Sequence, residues 1–355
     1  MEKIKCKIDQ LKVGMTIAEN VYTVDNILLV SKDTKVTQRI ITRFNFYSIP
    51  YVYVAPEKVE DLNEFTYYQK IEETKEFKVF SETLNTSARR LKATLRNSIQ
   101  RETPINTTLL QQDLEYITRE ARNNMHILQM LQCIRNYDDM IYVHCINVGL
   151  ISAVIGEWCH FKEEDIKLLK LCGELHDIGK IMVPEELLVK SGKLSAEEFN
   201  VIKSHAIRGY EVVKNKDLDE HIKLSVLQHH ERCDGTGYPM GLKLDKIDEF
   251  AKIVAIADVY DAMTCNRTYR QAICPFVVIE TFEKEGYQKY DPKYLLPFLQ
   301  GISDSYINAN VMLNNKQKGE VVMINRANLS RPIIRVGSDC IDLTKHPELT
   351  IEAVL

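Results

Sequence analysis

Nine cysteines, an odd number, are scattered along the 355-residue chain with no CxxC pair, which argues against a zinc ribbon or a disulfide framework. Cys133, Cys145 and Cys172 fall within apolar helical patterns, where cysteine serves as a small hydrophobe. The start, Met1-Glu-Lys-Ile-Lys-Cys-Lys7, lacks the apolar core of a signal peptide. No run is expected to reach the roughly 18 apolar residues that span a bilayer. No membrane span and a reducing cytoplasm are therefore expected. A charge excess is missing too: 46 Lys and Arg stand against 50 Asp and Glu, a net charge of −4. That gives no case for bulk nucleic acid as a partner and leaves a small anionic ligand open.

What is present, 45% hydrophobic and 27% charged residues, suits a globular chain with a sizeable core and two or three units. Residues 1–57 read as a small α+β module with a regulatory or docking role. Val21 to Val24 and Ile27 to Val30 flank the hairpin signal Asp25-Asn26, Tyr51 to Val54 is a strand, and Thr37 caps a helix reaching Phe46. The module has no Cys/His cluster and no Gly-rich phosphate loop. Residues 58–117 read as a polar helical connector, a helical pair that transmits or dimerises, broken at Thr103-Pro104. Its basic cluster, Arg89, Arg90, Lys92 and Arg96, has no interleaved aromatics and reads as a solvated face. Residues 118–303 are helical without strand alternation, and Ser195-Ala-Glu-Glu198 is a capping box opening a helix expected to run to about Val213. Residues 304–355 read as a β-rich appendage, with strands at Val311–Leu313, Glu320–Ile324 and Pro332–Val336. The expected class is mainly α, with a small α+β module before the helical domain and a β module after it.

Within the helical stretch, five of the nine histidines occupy chemically suggestive places. His176-Asp177 ends the apolar run from Leu168, and two adjacent helical residues point about 100° apart, so one polar face cannot hide both. Two explanations stand at this point: an N-cap Asp beside a hydrogen-bonded core His, or a pair of metal ligands. His144 sits among Ile141, Val148 and Ile151, His205 lies on the capped helix, and Asp258 is set within an apolar helix. The tandem His229-His230 is the hardest to place in a plain core, because burying an imidazole without partners for its nitrogens is costly. Imidazole and carboxylate together suit Fe, Mn, Zn or Co. Seven candidates exceed the needs of one tetrahedral ion and point to two, with a carboxylate such as Asp177 able to bridge them.

His176-Asp-Ile-Gly-Lys180, followed by His229-His-Glu-Arg-Cys-Asp-Gly-Thr-Gly-Tyr-Pro239, resembles the HD-GYP domain, the phosphodiesterase branch of the HD superfamily. The likeness runs through Lys190 to Phe199, Asp258-Val-Tyr-Asp-Ala-Met263 and Arg267-Thr-Tyr-Arg270, covering roughly residues 118 to 303. It implies an all-helical metal-binding domain that hydrolyses cyclic dinucleotides, chiefly cyclic di-GMP, to the linear dinucleotide and in some members to GMP. By motif it implies His144, His176, Asp177, His205, His229, His230 and Asp258 as ligands of divalent metals, Fe or Mn foremost, with Asp177 as the bridge. Lys180 would contact the scissile phosphate, and Arg267 and Arg270 would hold the ligand's phosphates. Gly237, Tyr238 and Pro239 would form the lip of the site, or a surface for a cyclase-domain partner. A homodimer is a further expectation. Some members add a third metal through a Glu one turn before the first His; Met140 stands there, so two metals are expected. Asp248, often Pro in the family, and Lys252, often Arg, are departures expected to lie away from the chemistry.

Overall fold

A computed structural model describes residues 3–23, 28–47, 49–55, 67–134, 140–188, 195–264 and 273–355. In the N-terminal module, β1 (Ile4–Lys7) pairs antiparallel with β4 (Tyr51–Val54), and β2 (Val21–Tyr22) with β3 (Leu28–Val30). The alternation of Tyr51 to Val54 turns both valines inward and leaves both tyrosines half-buried, with Lys5 and Lys3 over their rings. Helix α1 (Gln38–Phe46) starts where Thr37 accepts the Ile40 N–H, as its sequence suggests. The hairpin turn at 25–26 lies outside the described residues.

Helices α2 (Tyr67–Glu72), α3 (Lys75–Gln100) and α4 (Thr107–Thr118) follow. Phe80, Leu84, Ala88, Leu91 and Leu95 form one apolar stripe along α3, and they join the same core as the helical domain. The buried stripe packs α3 onto the helical domain. Within the basic cluster, Arg90 reaches inward to Asp113 at 2.6 Å, and the Lys92 ammonium lies 5.9 Å from the Tyr142 ring centroid.

The remaining helices are α5 (Asn124–Gln132), α6 (Met140–Trp158), α7 (Glu163–Leu175), α8 (Glu185–Leu188), α9 (Ala196–Lys203), α10 (His205–Val213), α11 (Glu220–Gln228), α12 (Glu249–Thr264), α13 (Pro275–Glu285) and α14 (Pro292–Asp304). α6 and α12 are apolar on nearly every side and form the centre of the bundle, with α7 and α11 packed on them. One expectation is corrected here. By length and composition the 19-residue α6 could cross a membrane, but most of it is buried in the bundle, where its apolar faces meet neighbouring helices. The chain closes with β5 (Asn310–Leu313), β6 (Lys318–Met323), β7 (Ile333–Val336), β8 (Asp339–Asp342) and β9 (Ile351–Val354), an antiparallel sheet ordered β8-β7-β6-β5-β9. The mainly helical class with a small module at each end is the observed architecture.

Candidate metal centre

Four elements of the bundle end or kink at one place. α7 stops at Leu175, followed by His176 and Asp177, and a tight turn runs from Ile178 to Met182. The expected long helix after Ser195 keeps its capping box but breaks at Ser204, so α10 begins at His205. α11 ends at Gln228 with His229 as its cap. Gly179 makes the approach feasible: a Cβ there would collide with the His205 carbonyl and come 2.7 Å from the Gly209 nitrogen.

A helix end leaves carbonyls short of partners, and three histidines turn their rings onto carbonyls of the last turn. His176 Nδ1 lies 2.6 Å from the Gly173 carbonyl, and His205 Nδ1 lies 2.7 Å from that of Ile202. His229 Nδ1 lies 3.0 and 3.1 Å from the Ser225 and Val226 carbonyls. A carbonyl can only accept, so each Nδ1 carries the proton and each Nε2 presents a lone pair. Those lone pairs converge: His205 and His229 face each other at 3.2 Å Nε2 to Nε2.

Asp177 lies in the middle. Its Oδ1 is 3.3 Å from His205 Nε2 and 3.6 Å from His229 Nε2. Its Oδ2 is 3.3 Å from His176 Nε2, 3.7 Å from His144 Nε2 and 2.5 Å from Lys180 Nζ. Asp258, from mid-α12, stands 3.2 Å from His144 Nε2 and 3.7 Å from His230 Nδ1. The structure thus gathers all seven candidates into two adjoining clusters, Asp177–His205–His229–His230 and His144–His176–Asp258. Asp177 does occupy the cap position of the tight turn, but its side chain makes no cap bond.

The donor set fits divalent metal. His176 Nε2 and both Asp177 oxygens are buried without a hydrogen-bond partner; the Lys180 approach is an ion pair whose alignment is not that of a hydrogen bond. Burial works against charge on Asp177, yet its polar surroundings, His176 and the Lys180 ammonium foremost, hold it well below the carboxylate range. Asp258 is held low against burial in the same way, chiefly by His144 and His230. Burial pushes His229 down to about 4, so it is the neutral ligand form at neutral pH. It pushes His230 well below its usual value as well. For His144, burial is outweighed by hydrogen bonds to Asp258 and Asp261, which raise it to about 9 and mark a place built to hold positive charge. Lys180 is raised by Asp177 and Asp258 despite burial. Cys145 also adjoins His176 and Asp177, but burial raises its thiol far above the range of a thiolate ligand.

Sequence reasoning missed two supporting carboxylates. Asp261, one turn beyond Asp258, lies 2.7 Å from His144 Nδ1 and accepts the Asn147 amide at 2.9 Å, which fixes the His144 ring. Buried Glu231, directly after the tandem histidines, accepts the Met240 and Leu242 N–H groups at 2.7 and 2.8 Å. It holds the loop bearing Gly237, Tyr238 and Pro239. Gly237 lies so close to the Glu231–Arg232 backbone that a Cβ would come 2.5 Å from Glu231 Cα. The Tyr238 ring lies against His230 at 4.6 Å, so this loop borders the centre. Arg267 and Arg270 lie outside the described residues. Met140 opens α6 one turn before His144. Asp248 accepts N–H groups at the start of α12 and meets His221, while Lys252 pairs with Asp291, partners outside the seven clustered residues.

The family model described as "HD domain" matches residues 106–294. The cyclic di-GMP phosphodiesterase response regulator RpfG of Xanthomonas campestris is 35% identical over 185 residues, 51% of this chain and 49% of its own. The 3'3'-cGAMP-specific phosphodiesterase 2 of Vibrio cholerae is 31% identical over 152 residues, 42% of this chain and 29% of its own. The chain spans about half the length of the first relatives it matches. Among solved structures, an HDG"Y"P protein from Bdellovibrio bacteriovorus shares the fold, with a TM-score of 0.50 and 17% identity over 84% of this chain and 98% of that one.

Proposed function

This chain belongs to the HD-domain family, and on that premise we propose that it hydrolyses the phosphodiester bonds of cyclic di-GMP with two divalent metals, Fe or Mn. The observation that carries the proposal is the facing pair of unprotonated His205 and His229 nitrogens beside a buried Asp177 carboxylate, an arrangement that is repulsive without a cation. His144, His176 and Asp258 would hold one ion, and His205, His229 and His230 the other, with Asp177 shared. When bound, such a pair supplies a water whose pKa falls from about 15.7 towards 7.

Everything else is the work of this chain's own groups. Lys180, beside Asp177 and kept charged, would meet the non-bridging oxygens of the scissile phosphate and offset charge developing there. Asp261 keeps His144 aimed, and the carbonyls at the helix ends keep the His176, His205 and His229 imidazoles in one tautomer. Tyr238 walls the centre on the His230 side. Arg267 and Arg270 are proposed for the phosphates on the ground of the motif alone. Expected products are the linear dinucleotide and GMP, and a cytoplasmic place, a cyclase-domain partner and a homodimer belong to the same proposal.

The test loads purified protein with Fe or Mn without oxygen and follows cyclic di-GMP by chromatography. Linear dinucleotide should accumulate. Binding without turnover under either metal would instead make the chain a receptor. Similarity to cGAMP-specific enzymes favours a second substrate, 3'3'-cGAMP. Competition between the two cyclic dinucleotides decides which is preferred.

A further inference from the structure

We infer that the N-terminal module is part of the platform that aims the metal ligands: Phe46, through Tyr290, seats Arg232, a positioning residue for the His229–His230 end of α11. The inference rests on the proposed ligand role of those two histidines.

Helix α1 belongs to two cores. Ile41 and Phe44 pack within the module, whereas Phe46 at the helix end is buried in the core of the helical domain. The Phe46 ring meets Phe282 edge-on at 5.9 Å and Tyr290 at 6.1 Å. Arg39 pairs with Glu280, and Arg43 pairs with Glu285 at 2.6 Å, so charges flank this apolar contact. The Lys289 ammonium lies over the Phe46 and Tyr47 rings at 5.0 and 4.3 Å. The module therefore grips α13 and the turn that follows it.

The same turn faces the metal centre on its other side. The Lys289 carbonyl accepts the Cys233 N–H at 2.9 Å. The buried Tyr290 ring carries the Arg232 guanidinium, 4.9 Å from its centroid. From there Arg232 Nη1 donates to the carbonyls of Glu231 at 3.0 Å and His229 at 3.4 Å. These carbonyls lie just past the last turn of α11, where helical partners run out. Three consecutive residues thus fix both halves of the local site. Arg232 and Cys233 hold the backbone that carries His229 and His230, and Glu231 holds the loop bearing Tyr238. Contact is continuous from Phe46 to the ligands, and Arg232 acts through them without reaching substrate.

The test uses the full chain loaded with Co(II), read by its visible ligand-field bands, by chelator competition, by melting temperature, and by kcat and KM on cyclic di-GMP. Arg232→Met keeps length and packing but removes the fork; Phe46→Leu keeps the core apolar but withdraws the ring from Tyr290. Each is expected to weaken Co(II) about tenfold or more, the usual effect of losing an outer partner of a ligand. Each should also shift the bands and lower kcat with KM little changed. Arg232→Lys, which keeps a cation on Tyr290, should recover part of the loss. In the Arg232→Met background, Phe46→Leu should add less than twofold. Ile41→Val, in the module's own core, should lower the melting temperature and leave the bands alone. If Phe46→Leu behaves like Ile41→Val, or if the two single effects multiply in the double variant, the inference is overturned. Co(II) binding needs no substrate. A wild type that binds two Co(II) but cleaves no cyclic dinucleotide would refute the proposed activity and leave this test standing.

Discussion

Glu174 and Asp177 are three residues apart at the end of α7, both are buried, and their surroundings drive them in opposite directions. Glu174 faces the α4 side, near Asp113, which pairs with Arg90. Burial, reinforced by the Asp113 charge, pushes Glu174 well above the carboxylate range, so it stays protonated. Asp177 suffers the same burial, but imidazoles and Lys180 surround it and keep it ionised. The difference teaches that depth alone makes a neutral acid. A buried carboxylate that stays charged requires cations built around it, and this is the property a metal ligand needs.

The largest break in the comparison comes from Asp177→Ala, which removes the one side chain shared by both halves of the centre. Turnover of cyclic di-GMP, followed by chromatography, should fall by at least about 10³-fold; full activity would exclude Asp177 as the bridge. Lys180→Met should cost about 10²–10³ in kcat while the metal content of the purified protein stays unchanged. Gly179→Ala attacks the packing that joins the Asp177 turn to His205. It should destabilise the fold by about 1–3 kcal/mol in denaturant melts, and an unchanged midpoint would contradict the close approach.

The smallest effect is expected on the other side of the comparison. Glu174 has a folded pKa above its ordinary 4.5, so on raising the pH the unfolded chain loses this proton first. Its contribution to stability is therefore full below about 4.5 and declines above it. Glu174→Gln has no such decline. Its unfolding free energy in denaturant melts should rise relative to that of wild type with increasing pH, by up to about 1.4 kcal/mol per pH unit, with metal affinity unmoved. Asp177 carries the reverse sign: without metal, its stabilisation is present above 3.8 and lost as the pH falls further.

The candidate centre was legible because its chemistry is out of place in its setting. A tandem histidine after an apolar run, and a His-Asp pair ending another, are residue types that an apolar interior does not need. The capping box at Ser195 and the Tyr-Val alternation at 51–54 were legible for local reasons, since each is decided within four residues. What depends on distant partners was not. β1 has the sequence Ile-Lys-Cys-Lys and becomes a strand because Tyr51–Val54 lies beside it; β8 and β9 depend in the same way on β7 and β5. Asp261 acquires its role from His144, 117 residues away in sequence. The break at Ser204 interrupts a helical pattern that is continuous in sequence, and it brings the His205 ring onto the Ile202 carbonyl.

The most direct test of the central claim is the metal count per chain in protein purified without oxygen, measured by inductively coupled plasma mass spectrometry. Two divalent ions in the wild type, falling to one or none in Asp177→Ala, are expected. An empty wild type, a third ion despite Met140, or two ions retained in Asp177→Ala would contradict the account.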